Sequence, residues 1–273
     1  NGDPQCKAEG KKGLGRMNFD NYVQTSVVDV SSYSAVSAAA HFLYQSEGER
    51  SPTVVISNAA VMRGKTLLQS TPEEICGDFD VNVLGAFWVA KAFLETMLKQ
   101  TYRSEEAAHK GVLVTMGSIM AELPAAGQVE YCASKAALSQ LHECLRWEIK
   151  KANADEDAKR NDVRSLLVQP YAVNTPMISG AALLGEGESR AHRRFAFMRR
   201  LLPPLDPADV ARRVVQAVER GEERVYVPAV VGWIPLFLRL MPSFLRDKVL
   251  GCVGAFDGTD GFRGCAPSRS AKR

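Results

Sequence analysis

Three side chains in this sequence have the types and spacing to move a proton: Ser118, Tyr131 and Lys135. Tyr131 and Lys135 stand four residues apart at the start of a helical pattern, which puts them on one helix face. A phenol alone is a poor acid or base near neutrality, because its unperturbed pKa is about 10. An ammonium fixed beside it favours the phenolate and is expected to lower that pKa toward working pH. Ser118 follows an apolar run, Val112 to Met116, that reads as a buried strand. A hydroxyl at that strand end can hold a carbonyl or alcohol oxygen beside the phenol. The three groups suit a reaction in which a proton moves at oxygen while a hydride moves elsewhere. A lone Tyr-x-x-x-Lys is usually a solvated helix face. Here Tyr131 is the one tyrosine of seven with Lys four residues on, and a Gly-Ser pair at a strand end precedes it.

Strand-like and helix-like stretches alternate around these residues. Val23 to Val30 is a β-rich run containing Asp29, and Ser31 and Ser32 can cap a helix over about 33–45. Val54-Val55-Ile56 reads as a short buried strand with its turn at Ser57-Asn58-Ala59-Ala60. Thr71-Pro72-Glu73-Glu74 has the composition of a helix start. The run from Ile75 to Leu98 is apolar nearly all round and holds one amide, Asn82, either a satisfied core group or part of a site. Such a helix needs a second apolar partner, for example another subunit. Val129 to Lys150 is the helix that carries Tyr131, Val163 to Val168 the next strand, and Val225-Tyr226-Val227 the last. This order predicts a parallel, doubly wound sheet that binds ligands beyond the carboxyl ends of its strands. Ser57, Ser118 and Pro170 each follow a strand and are expected to converge there.

Size and composition bound the rest. A chain of 273 residues suffices for one large domain, and 46% hydrophobic with 24% charged residues is ordinary for a globular protein. A net charge of +3 gives no case for nucleic-acid binding. The six cysteines form no C-x-x-C pair, so reduced thiols in a cytosol-facing protein are expected, and no metal-ligand spacing occurs. Residues 1–22 read as a flexible segment, including Gly10 to Arg16, whose glycines neither follow a strand nor open a helix. Arg190, Arg193, Arg194, Arg199 and Arg200 among aromatic residues read as a solvated basic face or a lid. The stretch 229–250 is rich in Trp, Phe and Leu but interrupted by Pro235, Arg239 and Pro242. It suits a segment lying in a membrane interface, or one that folds over a pocket or packs on a subunit, rather than a transmembrane span.

From about Val23 to about Gly264 the sequence resembles the short-chain dehydrogenase/reductase family. Asn82, Ser118, Tyr131 and Lys135 match its catalytic tetrad. Asp29 matches the acid that ends its third strand near the adenine. Ser57-Asn58-Ala59-Ala60 matches its N-N-A-G turn, with Ser for the first Asn and Ala for the Gly. Pro170-Tyr171 through Asn174-Thr175 matches the segment facing the nicotinamide. Asp80-Val81-Asn82, Phe87 to Leu94, Tyr131 to Lys135, Gln169 to Thr175 and Asp260 to Gly264 resemble the branch of retinol and hydroxysteroid dehydrogenases found on lipid surfaces.

The resemblance implies an NAD- or NADP-dependent oxidoreductase acting on a lipophilic alcohol or ketone. Tyr131 would be the acid/base. Lys135 would tune it and hold the nicotinamide ribose, Ser118 would orient the substrate, and Asn82 would support a proton-relaying water chain. Asp29, Asn58, Ala59, Pro170 and Thr175 would contact the cofactor, with Tyr131 and Lys135. A homodimer through the Asn82 and Tyr131 helices is implied, as is peripheral contact with the endoplasmic reticulum or a lipid droplet. One departure stands out. The family opens with a strand and a glycine-rich pyrophosphate turn, whereas this sequence starts near the third strand. The expected fold is therefore a Rossmann-like doubly wound parallel sheet, N-terminally incomplete, lacking two strand–helix units of on the order of 60 residues. Residues 23–228 form that domain and 229–273 a hydrophobic extension with a basic tail. The rival expectation is a truncated, non-catalytic member that acts through its dimer face or lipid-contacting tail.

Overall fold

The computed structural model describes residues 23, 25–46, 52–99, 111–154, 163–179 and 203–252. Among the described residues, four strands form one sheet in the order β1 (Val54–Ser57), β2 (Gly111–Met116), β3 (Val163–Pro170) and β4 (Arg224–Val227), with neighbouring pairs parallel. Parallel neighbours need crossover connections. Helix α1 (Tyr33–Ser46) precedes β1, and α2 (Pro72–Phe79) and α3 (Gly85–Lys99) join β1 to β2. The long α4 (Val129–Asn153) joins β2 to β3. A short α5 (Pro176–Ser179) and then α6 (Pro207–Glu219) lead from β3 to β4. Beyond β4 come α7 (Trp233–Leu240) and α8 (Ser243–Cys252), broken apart at Met241-Pro242.

Alternation along the strands sends side chains to two layers. Val112, Val114, Leu166, Val168, Val225 and Val227 pack against Val210, Val214 and Ala217 of α6. On the other face Val55, Leu113 and Val163 meet Ala40 of α1, Ala90, Phe93 and Met97 of α3, and Ile149 of α4. The expected doubly wound arrangement is therefore present. His142 of α4 is fully buried, and burial pushes its pKa down to about 4, so it is a neutral core residue.

Local signals place the helices. Thr71 caps α2 with a full capping box: its hydroxyl accepts from Glu74 N–H, and Glu74 accepts from Thr71 N–H. Asp206 caps α6 by accepting from Ala208 N–H at 2.7 Å. Gly221 ends that helix region with φ 67°. Between α2 and α3 the backbone takes one π-helical turn, Asp80–Leu84, which carries Asn82. The whole run Pro72–Lys99 is 28 residues long and apolar enough to cross a bilayer, but its buried residues Ala90, Phe93 and Met97 pack on the sheet.

Two expectations are corrected. The described residues of the run 23–30 form no strand. Residues 25–29 carry no regular structure, Val27 is fully exposed, and Val30 instead turns onto the helix at Gly85, where an added Cβ would stand 3.2 Å from Val30 Cγ2. β-Branched composition gives strand propensity but no partner. The strand at Val54 is not fully buried either: it forms the sheet edge, with Val54 41% and Ile56 50% exposed. The glycine-rich stretch 10–16, the arginine cluster 190–200 and the tail 260–264 lie outside the described residues.

Met97 is wholly enclosed between α3 and the sheet. Met97→Ala is expected to lower unfolding free energy by about 2–5 kcal/mol, read by urea denaturation followed by circular dichroism.

Candidate active site

Gly117 lets β2 end against β3: a Cβ there would lie 3.1 Å from Leu167 Cδ1 and 3.2 Å from the Val168 carbonyl. Ser118 follows in extended conformation and caps a 3-10 turn, Ile119–Ala121, its hydroxyl accepting from Met120 N–H at 3.2 Å. Gly127 then adopts φ 70°, a left-handed turn suited to glycine, and α4 begins. The first turns of α4 bring Tyr131 and Lys135 back beside Ser118. The Ser118 hydroxyl is near enough to the Tyr131 phenol to lower its pKa. Lys135 is 3% exposed, its Nζ donates to the Met116 carbonyl at 3.0 Å, and it lies 5.6 Å from the Tyr131 ring centre.

Ser118, Tyr131 and Lys135 share the wall of a cavity of about 1110 Å³ at the carboxyl ends of the strands. Asn58, Ala59, Pro170 and Thr175 line the same cavity. The far wall is apolar. Leu123 and Pro124 follow the serine turn, Val210, Val214 and Val215 come from α6, and Ile234, Leu238, Val249 and Leu250 come from α7 and α8. Of the readings open for 229–250, folding over the pocket is thus met on the inner face of these helices. Among the described residues no group of three His, Cys, Asp or Glu side chains is arranged to hold a metal.

The electrostatics differ from the simple pattern. Burial raises the Tyr131 phenol above its usual value, and the Ser118 hydroxyl only partly offsets this. Lys135 is not among the groups that shift the phenol, so the expected lowering by the amine is not seen. Lys135 is itself destabilised: burial brings its pKa down to about 8, and its ammonium is directed at the Met116 carbonyl. Desolvation sets the direction of both shifts.

Two expected site residues lie off the cavity wall. Asn82 is 1% exposed; its Oδ1 accepts from Val61 N–H at 2.7 Å, and its Nδ2 donates to the Val61 carbonyl at 2.9 Å and to Ser134 Oγ at 3.1 Å. It clamps the turn after β1 to α4. Asp29 is exposed, and its carboxylate accepts from the Ser31 N–H and hydroxyl at 2.9 and 2.7 Å.

Sequence reasoning missed a second clamp on the same turn. Arg63 Nε donates to the fully buried Asp78 at 2.7 Å, and Lys65 pairs with Glu74 at 2.5 Å. The basic pair opposite the acids of the α2 start was its available signal. The Glu122–Gln169–Tyr226 cluster behind Ser118 was also missed, since its members stand tens of residues apart.

A family profile described as short chain dehydrogenase matches residues 8–182. Retinol dehydrogenase 10-A of Danio rerio is 29% identical over 242 residues, covering 89% of this chain and 62% of the relative. Short-chain dehydrogenase/reductase 3 of Homo sapiens is 30% identical over 207 residues, covering 76% and 58%. The chain spans about three fifths of the length of these curated relatives. Among solved structures, a short chain dehydrogenase/reductase from Burkholderia phymatum in complex with NAD superposes with TM-score 0.59 at 24% identity, covering 79% of this chain and 76% of that one. A short chain dehydrogenase from Burkholderia cenocepacia in complex with NADP gives TM-score 0.57 at 21% identity, covering 83% and 76%. The likeness to both is one of fold.

The Lys135 shift has a signed consequence. The folded chain releases this proton near pH 8, whereas the unfolded chain keeps it to about 10.4. Between those values the unfolded state binds more protons, so this group's contribution to stability rises with pH and is flat below the window. In urea titrations from about pH 7.5 to about pH 10, the native chain should gain stability relative to Lys135→Met. A constant difference would contradict the burial of the amine.

Proposed function

Because the chain belongs to the short-chain dehydrogenase family, we propose that it is an oxidoreductase that transfers a hydride between NAD or NADP and a lipophilic alcohol or ketone. The observation that carries this reading is the meeting of Ser118, Tyr131 and Lys135 on one wall of a large, mainly apolar cavity. The dinucleotide supplies or accepts the hydride. The chain's residues do the rest. Ser118 holds the substrate oxygen, and Tyr131 gives a proton to it or takes one from it. As the resemblance implies, Lys135 would stabilise the charged form of the phenol and hold a ribose hydroxyl. Asn58, Ala59, Pro170 and Thr175 line the cavity, and the Asn58 amide and Thr175 hydroxyl among small apolar residues suit a nicotinamide. We assign Asn82 to holding the 58–61 turn in place, with support of a proton relay as its resemblance-based role. Asp29 keeps its resemblance-based assignment near the adenine.

The substrate we infer is of retinoid, steroid or fatty-alcohol type. The apolar far wall supports this, as do the names of the curated relatives. The outer faces of α7 and α8 expose Trp233, Phe237, Leu240 and Phe244, with Arg239 and Arg246 on the same helices. A face of this composition suits the interface of an anionic bilayer, consistent with a peripheral place on the endoplasmic reticulum or a lipid droplet. Leu84 and Phe87, exposed at the start of α3, suit a homodimer contact. The apolar outer face of α7 and α8 favours the second reading, a non-catalytic member that acts through its dimer face or lipid-contacting tail.

Fluorescence titration with NADH and NADPH separates the two readings: binding supports the enzyme, and a folded chain that binds neither supports the second. Tyr131→Phe should lower kcat toward a lipophilic alcohol by about 10²–10⁴-fold with an unchanged thermal midpoint. Retained turnover would remove Tyr131 from its role. In flotation with phosphatidylserine-containing vesicles, Trp233→Ser combined with Phe237→Ser should weaken partitioning by about tenfold or more. Equal flotation of native chain and variant would reject the lipid face.

A further inference from the structure

Glu122 lies at the end of the 3-10 turn that begins on Ser118, outside the cavity wall, yet side chains from β3, β4 and α7 converge on its carboxylate. The Tyr226 hydroxyl of β4 donates to Oε1 at 2.6 Å. Gln169 Nε2 of β3 approaches the same oxygen at 3.4 Å and the Ser118 carbonyl at 3.5 Å. Arg239 of α7 stands 3.4 Å from Oε2, and Arg224 of β4 stands 3.9 Å from Oε1. Glu122 is 12% exposed on its side chain and Gln169 is wholly buried. A carboxylate this enclosed is retained where hydrogen bonds and cations offset its desolvation. Arg239 is 74% exposed, so its pairing contributes little, and Tyr226 is the strong partner.

The other end of Tyr226 reaches the pocket roof. A Cβ on Gly232, the residue that enters α7, would lie 2.6 Å from Tyr226 Cδ2 and 2.8 Å from Cγ. The backbone leading into α7 therefore rests directly on the tyrosine ring. That helix sends Ile234 and Leu238 into the cavity wall. One side chain thus touches the serine turn with its hydroxyl and the roof helix with its ring.

We propose that Glu122 and Tyr226 form a latch that fixes the α7 roof relative to the Ser118 turn, so that Glu122 is a positioning residue setting the depth of the apolar pocket. This rests on the reading of the cavity as a substrate pocket. Holding the roof at one distance from the hydroxyl that receives the substrate oxygen selects the length of apolar chain that fits.

The test is hydrogen–deuterium exchange by mass spectrometry on the full chain. Tyr226→Phe keeps the ring and removes the hydroxyl. It should speed exchange about tenfold in 233–240 and in 119–122, while β2 and β3 stay unchanged. Glu122→Ala should reproduce this two-segment signature, and Gly232→Ala should produce it from the roof side by displacing the ring. Glu122→Gln keeps an acceptor oxygen and should stay near native. The same order should appear in the Kd of a fluorescent long-chain alcohol, about tenfold weaker for Tyr226→Phe and near native for Glu122→Gln. Unchanged exchange in 233–240, or uniform acceleration across all segments, would overturn the latch. If the native chain binds no long-chain alcohol, the substrate-pocket reading fails, and exchange alone decides whether the latch exists.

Discussion

The hydrogen bond from Lys135 Nζ to the Met116 carbonyl is the constraint on which the site depends. It joins the first turns of α4 to the last residue of β2 across a span of nineteen residues. An ammonium 3% exposed has few ways to be satisfied, so the carbonyl at the strand end holds it in one place. Because Tyr131 precedes it by one helical turn, fixing the amine also fixes the phenol against Ser118. The geometry of the reactive trio follows from one buried charge seeking one oxygen.

The walls around that trio are secured from behind. The turn after β1 is held by the Asn82 amide on both polar groups of Val61 and by Arg63 on Asp78. Burial raises the Asp78 carboxyl despite its arginine, and it raises the Glu130 carboxyl beside Tyr131 as well. Polar groups in this fold are thus spent on placing backbone, and the cavity itself is left mainly apolar. In such surroundings, on the proposed reading, the hydroxyl of Ser118 would act on a substrate oxygen with less competition from water.

Much of this was legible in the residues. The spacing of Tyr131 and Lys135, the strand-ending Gly117-Ser118 pair and the Thr71 capping box each state a local rule, and local rules survive folding. The alternation of strands and helices likewise placed Ser57, Ser118 and Pro170 at one sheet edge, and of these Ser118 and Pro170 line the cavity. What was not legible depends on distant partners. The direction of the Tyr131 shift depends on how deeply the phenol is buried, which no spacing encodes. Asn82 could be seen as an amide in an apolar helix, but its partner Val61 stands 21 residues away. The run 23–30 has strand composition, yet its described residues pair with no strand among the described residues. The segment 229–250 was apolar on both sides, and only the structure distinguishes the face that lines the cavity from the face that bears Trp233 and Phe237.

The most direct measurement is the titration of Tyr131 itself, followed by NMR on chain carrying tyrosine labelled with carbon-13 at Cζ. The account predicts a Tyr131 resonance that titrates above the usual phenol range, and a further upward displacement in Ser118→Ala, because the hydroxyl that partly offsets burial is gone. A Tyr131 titration indistinguishable from that of a solvent-exposed tyrosine, or one unmoved by the loss of Ser118, would contradict the convergence of these groups.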